Sequence, residues 1–473
     1  MIENKITQGE GCNGAREKSW YSCPARFVLG MMEEEIRRVQ ALERGGATIE
    51  ESGRATATRV KLGMMEVGVD GEARELEANA PSTISTSTST TSSTSTFAPV
   101  PCIPPYCSFR CADIPEEAVC SEWASPTNPF DRVQPKFCKG VAVYPIIIGV
   151  PEGDVVDCVP RKTNNGGGGG GGFAPMKPNN YNGDNEARNN YMFGHNEEHE
   201  YKRSYRQSFY GRTTKKSGWD CLRHYEILAS GSVPYFVGLE ECPKDTLAWF
   251  PKELLLKVQQ INGVSPTSID FSSFDYPSYY CAASSLLNYT REHLTTKAVA
   301  EYVLNTVNRN NAQRVLFLSG HEGVDYVRDM LLHGLKGIVP VVVDYVKPPH
   351  LYDIDENVGP KEWTNENLYG HGFTMARRLR EFDDDESYVE RGDLARRIKD
   401  REFDLVVFGS VHRGMLFWDE VKENYGREEI VFVDGEDEHG LGGEGGCKKW
   451  KEYGELGYYF MREIPDDCGG LGN

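Results

Sequence analysis

From Arg314 onward, short apolar runs alternate with amphipathic stretches of helical length. This alternation constrains the fold of the 473-residue chain more than any other feature. RVLFLS (314–319) reads as a strand, VDYVRDMLLHGLKGI (324–338) as a helix and VPVVVDYV (339–346) as a strand. FDLVVFGS (403–410), LFWDEVKENYG (416–426) and EEIVFVDG (428–435) repeat the pattern as strand, helix and strand. Strands separated by helices need crossover connections, so the expected class is α/β with a parallel sheet. In such sheets ligands sit beyond the carboxyl ends of the strands. The residues just after those ends are therefore the first candidates for function.

The rest of the chain is less regular. VAVYPIIIGV (141–150) has the β-branched, apolar character of a buried strand, and KELLLKVQQI (252–261) and TTKAVAEYVLNTVNR (295–309) read as helices. Residues 1–138 carry one helical candidate at 31–46. The tract STISTSTSTTSSTST (82–96) cannot bury a core and reads as a disordered linker. A seven-glycine run at 166–172 and the Asn-rich residues after it read as a flexible insertion over 163–198. The domain division expected from this is 1–138, 139–312 and 313–473.

Charge and cysteine usage narrow the partners. Seventy-one acidic residues against 52 Lys plus Arg give a net charge of −19, which disfavours nucleic acid. Thirteen cysteines occur without a C-x-x-C pair, so no zinc knuckle or thioredoxin-type motif is present. The cluster Cys102, Cys107, Cys111, Cys120 and Cys138 is open to two readings, disulfides or free thiols. The start of the sequence lacks a basic-then-apolar signal pattern, and VAVYPIIIGV is well short of the ~20 residues a membrane span needs. The expectation is a soluble chain with no membrane span.

Against the acidic background, KRSYRQSFYGRTTKK (202–216) carries six positive charges and no acid. It leads into SGWDCLRHYEILASG (217–231). Read as a helix over 219–229, this segment places Cys221, Leu222, Tyr225, Leu228 and Ala229 on an inward face. Arg223 and Glu226 then lie on the other side, roughly 60° apart in the i,i+3 relation. Ser217 and Gly218 read as caps, Asp220 as a first-turn residue and Gly231 as the stop. A basic approach to a helix N-terminus suits a diphosphate, and a carboxylate further along suits a pair of sugar hydroxyls. The plain alternative is a surface helix with an ion pair worth a few tenths of a kcal/mol.

GWDCLRHYEILASGSVPYF (218–236) resembles the donor-site motif of exostosin-like glycosyltransferases of the GT-B class, most closely algal and giant-virus relatives. ECPKDTLAWFPKELL (241–255), VLFLSGHEGVDYVRDMLLHGLK (315–336) and LYGHGFTMARRL (368–379) extend the resemblance over about 140–465. It implies two Rossmann-like domains and transfer of a sugar from a UDP- or GDP-sugar to a glycan or glycoprotein hydroxyl. It also implies the Golgi or endomembrane lumen. Carried over residue by residue, Glu226 binds the donor ribose and Arg223 is its basic partner. Lys215, Lys216 and the helix start at Gly218 neutralise the diphosphate, with Asp220 and Gly231 completing the site. Leaving-group charge held by Lys and Arg requires no metal cofactor. In a usual GT-B enzyme the acceptor-side domain comes first; here the donor-like motif precedes the regular βαβ half, as in a permuted order.

His321 and Asp325 follow the first strand of that half and are the candidate proton acceptors; a solvated loop histidine and a first-turn aspartate are the plain reading. Asp434, Glu436, Asp437 and His439 close a later strand. They could hold a divalent metal on a diphosphate, which gives a metal-dependent alternative, or form a solvated turn. GSVHRG (409–414) places His412 and Arg413 where a ligand would sit. A rival from another class is a non-catalytic nucleotide-sugar or glycan-binding protein on a decayed transferase scaffold.

Overall fold

The computed structural model describes residues 109–116, 120–125, 130, 133–163, 172–175, 192–353, 364–380, 393–437 and 449–466. The helix at 31–46, the linker at 82–96 and most of the insertion at 163–198 lie outside the described residues, as do Cys102, Cys107 and His439.

In chain order the strands are β1 (Lys136–Cys138), β2 (Val141–Pro145), β3 (Tyr210–Thr214), β4 (Val233–Val237), β5 (Arg314–Leu318), β6 (Val341–Asp344), β7 (Tyr352–Asp353), β8 (Leu379–Arg380), β9 (Leu405–Phe408), β10 (Ile430–Asp434) and β11 (Tyr458–Met461). The helices are α1 (Glu198–Gln207), α2 (Leu222–Ala229), α3 (Lys252–Val258), α4 (Tyr276–His293), α5 (Thr296–Thr306), α6 (Tyr326–Ile338), α7 (Leu394–Lys399), α8 (Trp418–Asn424) and α9 (Trp450–Leu456).

One seven-stranded sheet dominates, in the order β1-β2-β11-β10-β9-β5-β6. All its pairings are parallel except the edge pair β1–β2. The fold is thus mixed α/β, as the alternating pattern predicts. The sheet does not respect a boundary at residue 313, however, because β2 pairs with β11 at the register Tyr459↔Val143. Strands from both expected α/β segments therefore build a single sheet, and the described residues fall within one compact unit. Each strand sends alternate side chains to opposite faces, as pleating requires. Val315, Phe317, Val407 and Val433 enter one core with α4, α5 and α6. Leu316, Leu318, Phe408 and Phe432 enter a second core with Trp418, Val421, Trp450 and Tyr453 of α8 and α9.

The strand order reverses once. From β5 the chain steps to β6 at the edge, then returns to place β9 on the other side of β5 and continues through β10 to β11. The carboxyl ends of β5 and β9 therefore flank the switch point at which open α/β sheets leave a crevice.

The donor-like motif lies outside this sheet in its own β3–α2–β4 unit, whose strands pair in parallel (Tyr210↔Val233 to Thr214↔Val237). Two disulfides, Cys111–Cys158 and Cys120–Cys281, tie the preceding segments to the stretch after β2 and to α4; the cysteine cluster resolves to bonded thiols at these positions. Among the described residues no helix is long and apolar enough to cross a membrane.

Candidate functional site

The segment 215–231 departs from its expected geometry at the start. α2 begins at Leu222 with Cys221 as its N-cap, whose side chain makes no capping bond. Gly218 therefore lies ahead of the helix, and neither it nor Ser217 caps it. The reason is tertiary: Asp220 is drawn into the core. Its carboxylate accepts from Ile148 N–H (2.9 Å) and from the Tyr225 hydroxyl (2.7 Å), which leaves it 2 % exposed. Asp220 thus anchors the loop to the chain just beyond β2 and does not face a ligand. Burial pushes its pKa up to about 6 against the opposing charge of Arg462.

Gly231 ends the helix as expected. It adopts φ +65°, and Ser232 and Gly231 N–H bond back to Ile227 and Leu228 carbonyls, the two bonds of a Schellman stop. A Cβ there would meet Pro160 Cδ at 2.5 Å, so this glycine is also a packing requirement. It stands behind the site, not in it.

Glu226 is also more enclosed than a surface helix allows. Seven of the eight α2 residues are buried, leaving only Arg223 part-exposed. The Glu226 carboxylate accepts from Tyr201 Oη (2.5 Å) on α1 and from Thr374 Oγ1 (2.8 Å). Burial raises its pKa, against these two hydrogen bonds. It therefore fastens α1 and the 370–378 segment to α2. That segment carries positive φ at Gly370, His371, Gly372, Thr374 and Arg377. Strain of this kind persists only where the surroundings hold it.

The basic run divides into two groups. Lys202 pairs with Asp154 and with Glu198 (2.6 Å), and Arg378 joins the same carboxylates (3.1 and 2.9 Å), so this part of the run is internally neutralised. Lys216 and Arg223 lie close to one another. Burial lowers the Lys216 pKa, and the Arg223 charge lowers it further. Among the described residues the Arg223 guanidinium has no hydrogen bond or ion pair. Burial works against its charge, and the nearby Tyr205, Tyr201, Cys221 and Glu226 more than offset it. Lys215 lies over the Trp219 ring at 5.3 Å, beside a cleft of ≈ 220 Å³ that Glu463, Pro243 and Pro465 also line.

The second group of candidates gathers at the carboxyl ends of the strands. After β5, Asp325 caps α6 and accepts from Arg328 N (3.2 Å), Ser410 Oγ (2.6 Å) and Arg413 Nε (3.2 Å). Burial would raise its pKa, but Arg413, His412 and Arg328 and the Ser410 bond hold it well below the usual carboxylate range. A carboxylate held so strongly in its charged form is a weak base. His321 is turned inward: its Nδ1 accepts from Gly323 N–H (2.6 Å), and its carbonyl takes a bond from the buried Arg328. Burial, then Arg413 and Arg328, lowers its pKa. Both side chains are engaged by neighbouring groups in this arrangement.

GSVHRG and the turn after β10 carry what the sequence divided among separate motifs. His412 Nε2 lies 3.2 Å from Glu436 and 3.4 Å from Asp325, and its Nδ1 is 3.9 Å from Asp434. Asp434 takes the Tyr459 hydroxyl (2.6 Å), and Asp437 pairs with Arg462. Asp434 and Glu436 thus share His412 while Asp437 turns to Arg462, and among the described residues no group of three or more ligating side chains could hold a metal ion.

These contacts form a circuit on one side of the sheet. Asp325 meets Ser410 and His412, His412 meets Glu436, and Asp437 meets Arg462. Arg462 reaches the Asp220 carbonyl (3.4 Å), which leads into α2 with Arg223 and Glu226. Glu226 meets Thr374, and Tyr369 receives the Tyr326 hydroxyl (3.4 Å) next to Asp325. Arg462 and Glu463 gave no signal in the sequence; they emerge only because β11 ends beside the 215–220 loop. With this geometry in hand, comparison with known proteins yields no match: no family model, no curated protein and no solved structure matches the chain.

Proposed function

We propose that the protein transfers a sugar from a nucleotide diphosphate donor to an acceptor hydroxyl. The observation that carries this reading is the pair Lys216 and Arg223. The Arg223 charge is close enough to lower the Lys216 pKa, and Arg223 itself is kept charged by Tyr205, Tyr201, Cys221 and Glu226. Two neighbouring cations favour an anionic ligand, and a diphosphate offers charge and acceptor oxygens to both. Arg223 can engage it bidentately, whereas Lys216 acts as a point charge. As the C–O bond to the diphosphate breaks, negative charge grows on the leaving oxygens, and fixed cations there lower the barrier. Glu226 holds α2 against Tyr201 and Thr374 and so fixes the helix that presents Arg223.

The resemblance of 218–236 to the exostosin-like donor motif supports the same chemistry. The disulfides Cys111–Cys158 and Cys120–Cys281 support an oxidising, endomembrane setting. The test is binding and turnover of a panel of UDP- and GDP-sugars by the full chain. Arg223→Ala is expected to weaken binding of the cognate donor at least tenfold and to make the remaining binding less sensitive to salt. Tight binding without nucleotide release identifies a binding protein instead, and absence of binding to every donor overturns the reading.

A further inference from the structure

We propose that Glu436, backed by His412, is the group that takes the proton from the acceptor hydroxyl, and that the crevice between the ends of β5, β9 and β10 is where the acceptor enters. This rests on the transferase reading above and deepens it.

Three observations carry it. The first is topological. The sheet order reverses between β5 and β9, the place where open α/β sheets take ligands, and the loops leaving these strands and β10 meet there. The approach is close: a Cβ on Gly320 would meet the Arg413 carbonyl at 2.1 Å, and one on Gly435 would meet Asp325 Oδ1 at 3.1 Å. The second is exposure. Asp325, Asp434 and His412 have side chains at most 9 % exposed, whereas Glu436 keeps 33 %. Of the carboxylates meeting His412, it is the one a bound molecule can touch. The third is its support. Glu436 Oε1 lies 3.2 Å from His412 Nε2, and that ring is in turn held by Asp325 and Ser410.

The charged groups around Glu436 come from every element that meets there: His412 and Arg413 from the loop after β9, Asp325 from the loop after β5, and Asp434 from β10 itself. Burial, followed by the two aspartates, outweighs His412 and Arg413 and raises its pKa above an ordinary glutamate. That is the direction a general base needs. The step is a single displacement. The acceptor O–H proton passes to a Glu436 carboxylate oxygen, and the acceptor oxygen bonds to the anomeric carbon. The C–O bond to the diphosphate breaks with its electron pair leaving on the diphosphate. Glu436 then releases its proton to solvent. A single displacement inverts the anomeric configuration.

The experiment compares wild type with Glu436→Gln and Glu436→Asp, reading donor affinity by titration calorimetry and transfer by product formation from pH 5 to 9. The expected result for Glu436→Gln is donor affinity within about twofold of wild type, transfer slowed by about 10²–10⁴-fold, and loss of the rise in rate with pH. Glu436→Asp should restore part of the rate and the pH dependence. The product's anomeric configuration, read by NMR, should be inverted. Wild-type transfer with a retained configuration, or a Glu436→Gln variant with wild-type rate and pH profile, overturns this assignment while leaving the transferase reading standing. A wild type that binds no donor overturns both.

Discussion

The Thr374 hydroxyl donates to Glu226 Oε1 across 2.8 Å and 148 positions of chain, closing the circuit of contacts on the carboxyl side of the sheet. Both residues are buried, so the bond cannot be replaced by water at no cost. Thr374→Val should leave the Glu226 carboxylate with Tyr201 alone. The expected loss is about 1–3 kcal/mol, read as a shift in the urea midpoint at constant slope.

Gly218 has no room for a side chain. A Cβ would lie 2.6 Å from Glu463 Oε1 and 3.1 Å from both Arg462 Nη2 and Asp437 Oδ1. Gly218→Ala must push back the clasp that holds the Lys215–Lys216 loop. A destabilisation of about 1–3 kcal/mol is expected, with weaker donor binding measured on the folded protein.

Asp220 and Glu463 share the Arg462 charge within one buried group. Burial pushes Asp220 up to about 6, and burial likewise pushes Glu463 up to about 7. In the unfolded chain both titrate near ~4. Between those values the folded state keeps protons that the unfolded state has lost. Their contribution is therefore full below pH ~4 and is lost as pH rises through 6 and 7. Asp325 titrates in the opposite sense, and its contribution falls away only in acid, below this window. The urea midpoint of wild type relative to Glu463→Gln should therefore fall from pH 5 to pH 8.

The disulfides span 47 and 161 positions. The longer one, Cys120–Cys281, fastens the segment at 120–123 to α4. In the chain-entropy picture, closing loops of this size is worth about 3–5 kcal/mol each. Reductant should lower the melting temperature, and Cys281→Ala should reproduce much of that drop without reductant.

The elements legible in the sequence are those whose periodicity survives burial. The strands from Arg314 to Asp434 and the helices between them form close to where the pattern placed them, because strands buried on both faces read as unbroken apolar runs. The helix at 252 starts at Lys252 after Pro251 as written. α4 was not read at all. It is the longest helix among the described residues, but its sequence YPSYYCAASSLLNYTREH buries tyrosines, alanines and a cysteine instead of a clean leucine stripe. The start of α2 was misplaced because Asp220 looks like a first-turn acid, yet it is held by Ile148 and Tyr225 from the other direction.

At the site, the sequence by itself determined residue types and local order: a basic run, a helix with Arg223 and Glu226 one turn apart, a glycine stop, and polar residues after each strand. Those follow from spacing along the chain. Tertiary structure decided which of them meet. Pairing of β2 with β11 joins residues 316 positions apart and sets Arg462 and Glu463 against Gly218. The reversal between β5 and β9 brings Asp325 to His412 and Glu436. Such contacts depend on strand order and register, which are set by long-range pairing and core packing rather than by any local pattern.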